Sequence, residues 1–154
     1  MTTTFEELLR RDGKLIYKTK GVSMLPMLRQ NRDLVIIEPP KGRLWPKDVA
    51  LYRRGKDYVL HRVIRVENGY YLIRGDNTYA LEKVPDQAVL GVLTGFVRKG
   101  KQHRVTDRGY LLYVHVWCVL YPLRYLFART RWLAYAAAKK LGLIPLLKKI
   151  LRRS

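Results

Sequence analysis

Three side chains of complementary chemistry are spread along the first half of the chain. Ser23 is the only hydroxyl in the apolar turn Gly21-Val22-Ser23-Met24-Leu25-Pro26-Met27, His61 lies inside Tyr58-Val59-Leu60-His61-Arg62-Val63-Ile64, and Asp76 follows Gly75 at the exit of Ile73-Arg74-Gly75-Asp76-Asn77. A nucleophile, a base and an acid that orients the base are the three roles of acyl transfer, and geometry defines them rather than order in sequence. Each residue also has an ordinary structural use. Loop serines form turns, an aspartate after glycine caps its own turn, and a histidine sharing a strand face with Val59 and Val63 is often a satisfied core group. Arg62 is expected to be solvated or paired with a carboxylate.

The serine turn has a physical logic of its own. Pro26 fixes its own φ and biases Leu25 toward an extended conformation, which holds the Ser23 hydroxyl in a set direction. Met24, Leu25 and Pro26, with Met27 and Leu28, are flexible or rigid apolar groups beside the nucleophile. They could line an apolar peptide-binding groove, rest on a membrane surface or pack the floor of the domain.

Taken in order, Ser-Met-x-Pro, a strand containing His-Arg-Val, and Gly-Asp-Asn resemble the type I signal peptidase family over about residues 21–97. The likeness is to the branch whose base is histidine, as in the endoplasmic-reticulum enzyme and its sporulation relatives. The resemblance implies a serine endopeptidase with Ser23 as nucleophile and His61 as general base, cleaving an extended peptide after small residues, with no metal or organic cofactor. It leaves two candidates for the orienting acid: Asp76, which matches Gly-Asp-Asn, and Glu82, which stands where that branch has an aspartate. It also marks a departure at Gly21, where the family often carries a serine that helps bind the oxyanion. Loss of one such donor costs on the order of 10²-fold in rate, so backbone N–H groups around Ser23 would carry that task. The conventional enzymes have a membrane-spanning helix before the serine box, and an inactive peptide-binding relative of the family is the alternative reading.

The elements that must position these residues are short strands. Leu15–Lys18, Leu34–Glu38, Val49–Arg53, Tyr58–Val66, Tyr70–Arg74 and Val89–Val97 are separated by turn sequences, among them Arg54-Gly55-Lys56-Asp57 and the hairpin signal Asn68-Gly69. The fold class expected is mainly β, a coiled antiparallel, barrel-like peptidase domain with a C-terminal helical extension. Ahead of it, Thr4 and Glu7 form a capping box for a helix that ends by Asp12-Gly13. The expected organisation is a helix and lead-in strand over 1–20, a catalytic β domain over 21–97 and a basic aromatic helical tail over 98–154.

Of 154 residues, 48% are hydrophobic, which excludes a disordered chain, and the lone Cys118 excludes an internal disulfide framework. His61, His103 and His115 are too scattered for a metal site. The net charge of +19 asks for an anionic partner. Residues 98–154 hold 14 of the 31 Lys/Arg but only one of the 12 Asp/Glu, so the charge is concentrated in the tail.

That tail runs through Tyr110–Phe127 and continues with Trp132, Tyr135, Arg129, Arg131, Lys139, Lys140, Lys148, Lys149, Arg152 and Arg153, divided by Gly142 and Pro145. Tyrosine and tryptophan prefer the headgroup zone, and basic residues prefer anionic lipid. An interfacial helix set binding an anionic membrane surface through residues 110–154 is therefore expected, peripheral at the cytoplasmic face, with a spanning helix and a helix packed on the β domain as alternatives. The first twenty residues lack the apolar core of a secretory signal peptide. Specific nucleic-acid binding is not expected, because Tyr110–Phe127 is too apolar for a nucleic-acid groove.

Overall fold

The computed structural model describes residues 4–141. Helix α1 (Phe5–Asp12) starts at a reciprocal capping box: the Glu7 amide donates to Thr4 Oγ1 at 3.2 Å, and the Thr4 amide donates to Glu7 Oε2 at 2.9 Å. It ends where Gly13 adopts φ 67°, a left-handed cap that costs glycine little.

Eight strands follow: β1 (Leu15–Lys18), β2 (Leu34–Glu38), β3 (Val49–Arg54), β4 (Asp57–Glu67), β5 (Tyr70–Arg74), β6 (Glu82–Pro85), β7 (Val89–Arg98) and β8 (Lys101–Arg104). All pair antiparallel in the order β1-β2-β7-β3-β4-β5-β6, with β8 on β7 beyond the end of β3. The fold is thus mainly antiparallel β with a C-terminal helical segment. Among the described residues β1 and β6 do not pair with each other, so the sheet is open rather than a closed barrel.

The sheet divides two apolar clusters, and β3 shows how. Val49, Ala50, Leu51 and Tyr52 are all buried because alternate residues serve opposite faces: Val49 and Leu51 join Met24, Met27, Leu28 and Leu60, while Ala50 and Tyr52 join Val63, Tyr71 and Ile73. The same holds for Leu60–Val63 of β4, four consecutive buried residues that include His61 and Arg62. Both faces are covered there, so an ionisable group on either face must find its partner inside.

Two strands depart from expectation. The sequence pattern places the last strand at Val89–Val97, yet β8 follows it. Lys99 and Gly100 both have positive φ, the geometry of a tight hairpin turn, and the ladder is made by the backbone of Lys101-Gln102-His103-Arg104, which has no apolar alternation to reveal it. Edge strand β6 buries only Val84 and ends in Pro85, so it too carries almost no pattern.

The chain forms two compact units, the first reaching Val114 and the second starting at His115. The expected boundary at 97/98 falls inside β7, and helix α2 (Arg108–Val119) starts in the first unit and crosses into the second. In the second unit, α3 (Tyr121–Lys140) begins with Pro122 in its first turn. Proline lacks an N–H and crowds the carbonyl four residues back, so the apolar run Tyr110–Phe127 breaks at Leu120 with a bend of 53°. Among the described residues, no single helix is long and apolar enough to cross a membrane; the bent pair passes that test only jointly, by length and composition. Gly142, Pro145, Lys148, Lys149, Arg152 and Arg153 lie outside the described residues.

Candidate active site

Ser23 is held by its backbone. The Leu25 amide donates to Val22 O (3.2 Å) and the Leu28 amide to Met24 O (2.9 Å), closing a compact turn whose Leu25–Pro26 peptide is cis. The Gly75-Asp76-Asn77 turn clamps it from outside: the Asn77 amide donates to Ser23 O at 2.7 Å and Asn77 Nδ2 to Val22 O at 3.2 Å. A Cβ on residue 75 would stand 2.7 Å from Ser23 O, so only glycine permits this approach. Gly21 has φ +82° and donates its N–H to Gln30 Oε1 at 2.8 Å. It contributes no side-chain donor, and the Ser23 and Met24 amides make no hydrogen bond among the described residues.

Register positions the other groups. Ala50 pairs with His61, Val63 with Ile73 and Ile73 with Glu82, so His61, Val63, Ile73 and Glu82 share one face, with Ala50 and Tyr52 beside them. On that face His61 Nδ1 lies 3.1 Å from Glu82 Oε1 and 3.2 Å from the Tyr52 hydroxyl, and Tyr52 donates to Glu82 Oε2 at 2.9 Å. Arg54 Nη1 donates to both Glu82 oxygens at 3.1 Å. With Nδ1 turned to a carboxylate, the proton belongs on Nδ1 and the free lone pair on Nε2, the tautomer a general base requires.

Electrostatics favour a neutral imidazole. Burial pushes the His61 pKa below its ordinary 6.5, and the nearby Glu82 charge offsets only part of that. Burial also acts to raise Glu82, but hydrogen bonds from Tyr52 and Arg54 and the His61 charge outweigh it and hold the carboxyl below its usual range. Both groups bind protons less readily folded than unfolded. Stability is therefore expected to fall as pH drops below about 6.5, and further through the carboxylate range. Cleavage, if His61 is the base, is expected to rise through one ionisation below pH 6.5 in a kcat/KM profile. A limb only at strongly alkaline pH would assign the base to a lysine.

Asp76 is engaged elsewhere. Both its oxygens are taken by Arg62, Nε to Oδ1 and Nη2 to Oδ2 at 2.7 Å each, and Tyr113 donates to Oδ2 at 3.0 Å. Arg62, 1% exposed, also donates to Lys47 O (2.8 Å) and Tyr110 Oη (3.2 Å). Of the two candidate acids, Glu82 is the one in hydrogen-bond reach of His61. Asp76 instead neutralises the buried guanidinium next door and is part of the turn that clamps Ser23.

Ser23, His61 and Glu82 line one cavity of about 740 Å³, walled also by Phe5, Tyr17, Met24, Leu28, Tyr58 and Leu60. Its size and apolar walls suit an extended peptide segment. The Ser23 hydroxyl makes no hydrogen bond among the described residues, so the candidate nucleophile and the candidate base line one cavity without a Ser–His hydrogen bond. Of the three substrate-binding candidates, Met24 lines the cavity and is buried in the core, whereas half-buried Leu25 and exposed Pro26 are outside its lining. Met27 and Leu28 pack the floor. Among the described residues no group of His, Cys, Asp or Glu is arranged to hold a metal ion.

Tyr52 and Arg54 were not foreseen as site residues, and neither was the pairing of Asp76 with Arg62 rather than His61. The Arg54-Gly55-Lys56-Asp57 hairpin fixes Tyr52 opposite Val59 and hence diagonal to His61. No protein-family model matches the chain, and no curated protein matches it.

Proposed function

We propose that this chain is a serine endopeptidase of the type I signal peptidase kind, with histidine as base. Ser23 Oγ attacks the scissile carbonyl carbon as its proton passes to His61 Nε2, and the Ser23 and Met24 amides receive the oxyanion. The tetrahedral intermediate collapses with cleavage of the C–N bond, and His61 gives its proton to the departing amine. Water then attacks the acyl-serine by the same route in reverse, regenerating Ser23. Glu82 orients His61 throughout. The observation that carries the reading is the buried His61–Glu82 contact in the cavity that Ser23 also lines.

One observation favours a second reading, a peptide-binding module without catalysis: the Ser23 hydroxyl is not hydrogen-bonded to His61 among the described residues. Catalytic contacts are commonly loose without substrate and tighten in the Michaelis complex, so the first reading keeps precedence. A panel of extended peptides with small residues before a defined bond decides between them. Cutting by the intact chain that disappears in Ser23→Ala supports the peptidase; retention of peptide with no cutting by either supports the module.

The site acts at an anionic membrane surface, where the tail holds it. Supporting this, the second unit leaves Val116, Val119, Leu123, Leu126, Phe127, Trp132 and Leu133 exposed beside Arg129, Arg131, Lys139 and Lys140, with the Arg124 guanidinium 3.5 Å above the Trp117 ring. Each basic residue near such a surface contributes about 1 kcal/mol at low salt, a term that salt screens, while aromatic burial persists. Co-sedimentation with phosphatidylserine vesicles is expected to fall but not vanish as salt rises, and to be lost when residues 115–154 are removed. Resistance to high salt and carbonate would mean that the bent helix pair spans the bilayer, and no binding at any salt would sink the membrane assignment.

A further inference from the structure

A glutamate has one more rotatable bond than an aspartate, so keeping its carboxylate beside an imidazole calls for groups that restrain it. Here the carboxylate is held from two sides: Arg54, with its side chain 58% exposed, donates to both Glu82 oxygens from the solvent side. On the inner side stands Tyr52, 2% exposed, whose hydroxyl reaches both Glu82 Oε2 and His61 Nδ1.

We propose that Tyr52 is the positioning residue that makes Glu82 serviceable, its hydroxyl holding the carboxylate turned inward and fixing the tautomer and orientation of His61. The inference rests on the peptidase reading for its role in cleavage, but its structural content stands without it. A buried phenol has one proton to give and needs an acceptor. Glu82 Oε2, at 2.9 Å, takes it, so the phenol oxygen faces His61 Nδ1 as an acceptor. The Nδ1–H is then shared between Glu82 Oε1 at 3.1 Å and Tyr52 Oη at 3.2 Å.

Either alternative state of the imidazole breaks this arrangement. With the proton on Nε2, the Nδ1 lone pair would face acceptor oxygens, and Tyr52 would have to turn its proton away from Glu82 to relieve it. A flipped ring would set a carbon against both oxygens and lose both contacts. Burial also pushes the Tyr52 pKa far above its ordinary 10, reinforced by the Glu82 charge, so the phenol keeps its proton at every working pH.

The test is Tyr52→Phe in the full chain, which preserves the buried ring and removes only the hydroxyl. Cleavage is expected to show kcat lower by about 10- to 100-fold with KM little changed, as for a small displacement of a catalytic group. Independently of cleavage, ¹⁵N-histidine NMR should find His61 in the Nδ1–H tautomer in the unaltered protein and a mixture of tautomers in the variant. Unchanged kcat together with an unchanged His61 tautomer in Tyr52→Phe would overturn the proposal. So would a loss confined to KM, which would make Tyr52 a substrate contact, or an Nε2–H tautomer in the unaltered protein, a measurement that needs no variant to fold. If the unaltered chain cuts nothing while the tautomers behave as expected, the peptidase reading has failed and the positioning role has not.

Discussion

Ser23→Ala is expected to lower kcat about a millionfold, His61→Ala by about as much, and the double variant by no more than either alone. The equality follows from shared chemistry. Without the hydroxyl there is nothing for the imidazole to deprotonate, and without the imidazole a serine hydroxyl stays protonated and is a weak nucleophile. Residual cleavage would come from peptide binding and from the Ser23 and Met24 amides, which the His61 substitution leaves in place. Additive losses in the double variant, or full activity in either single one, would refute the assignment. Such measurements require a fold control, because His61 is 5% exposed and its truncation opens space within the sheet.

The second large effect separates two carboxylates that the sequence leaves undivided. Glu82→Gln is expected to lower kcat by roughly 10³- to 10⁴-fold at nearly constant KM, since an amide preserves shape but favours the wrong imidazole tautomer. Its stability should fall only modestly, because the amide still accepts from Tyr52 and the lost charge faces Arg54 at a position with a quarter of its side chain exposed. Asp76→Asn is expected to do the reverse. It removes the charge opposite Arg62 in a pair whose side chains are 1% and 2% exposed, and breaking a buried pair by removing one partner costs about 3–5 kcal/mol. Denaturant midpoints at constant m-value measure that loss, and any effect on cleavage should follow the displaced Ser23 turn. A kcat collapse in Asp76→Asn with unchanged stability, and none in Glu82→Gln, would return the orienting role to Asp76.

The fold was legible wherever the chain repeats a local rule. Leu15–Lys18, Leu34–Glu38 and Tyr70–Arg74 occur at the bounds that their turns and apolar residues indicate, and the Thr4–Glu7 capping box with Gly13 sets both ends of α1. Strands β6 and β8 were hidden because pairing is made by backbone groups that every sequence possesses. Candidate site residues could be named from residue type and order, but not their partners. Whether Asp76 or Glu82 meets His61 depends on register across three strands, and one residue of slip would move Glu82 to the other face. Arg62 is the instructive case. Its buried neighbours Leu60 and Val63 mark a strand covered on both sides, where an arginine demands a carboxylate, yet only the folded chain shows which one.

The contact of Tyr113 with Asp76 also bears on the order in which the chain is made. Every strand has left the ribosome once Arg104 is clear, and the sheet can pair from end to end at that stage. The ion pair next to the Ser23 turn is still incomplete. Tyr110 and Tyr113, which close over Arg62 and Asp76, and Val114, 3% exposed, arrive up to ten residues later at the start of α2. The first turns of this apolar helix thus close over the Arg62–Asp76 pair only after every strand is made, so a nascent chain can complete its sheet before it seals the turn that holds Ser23.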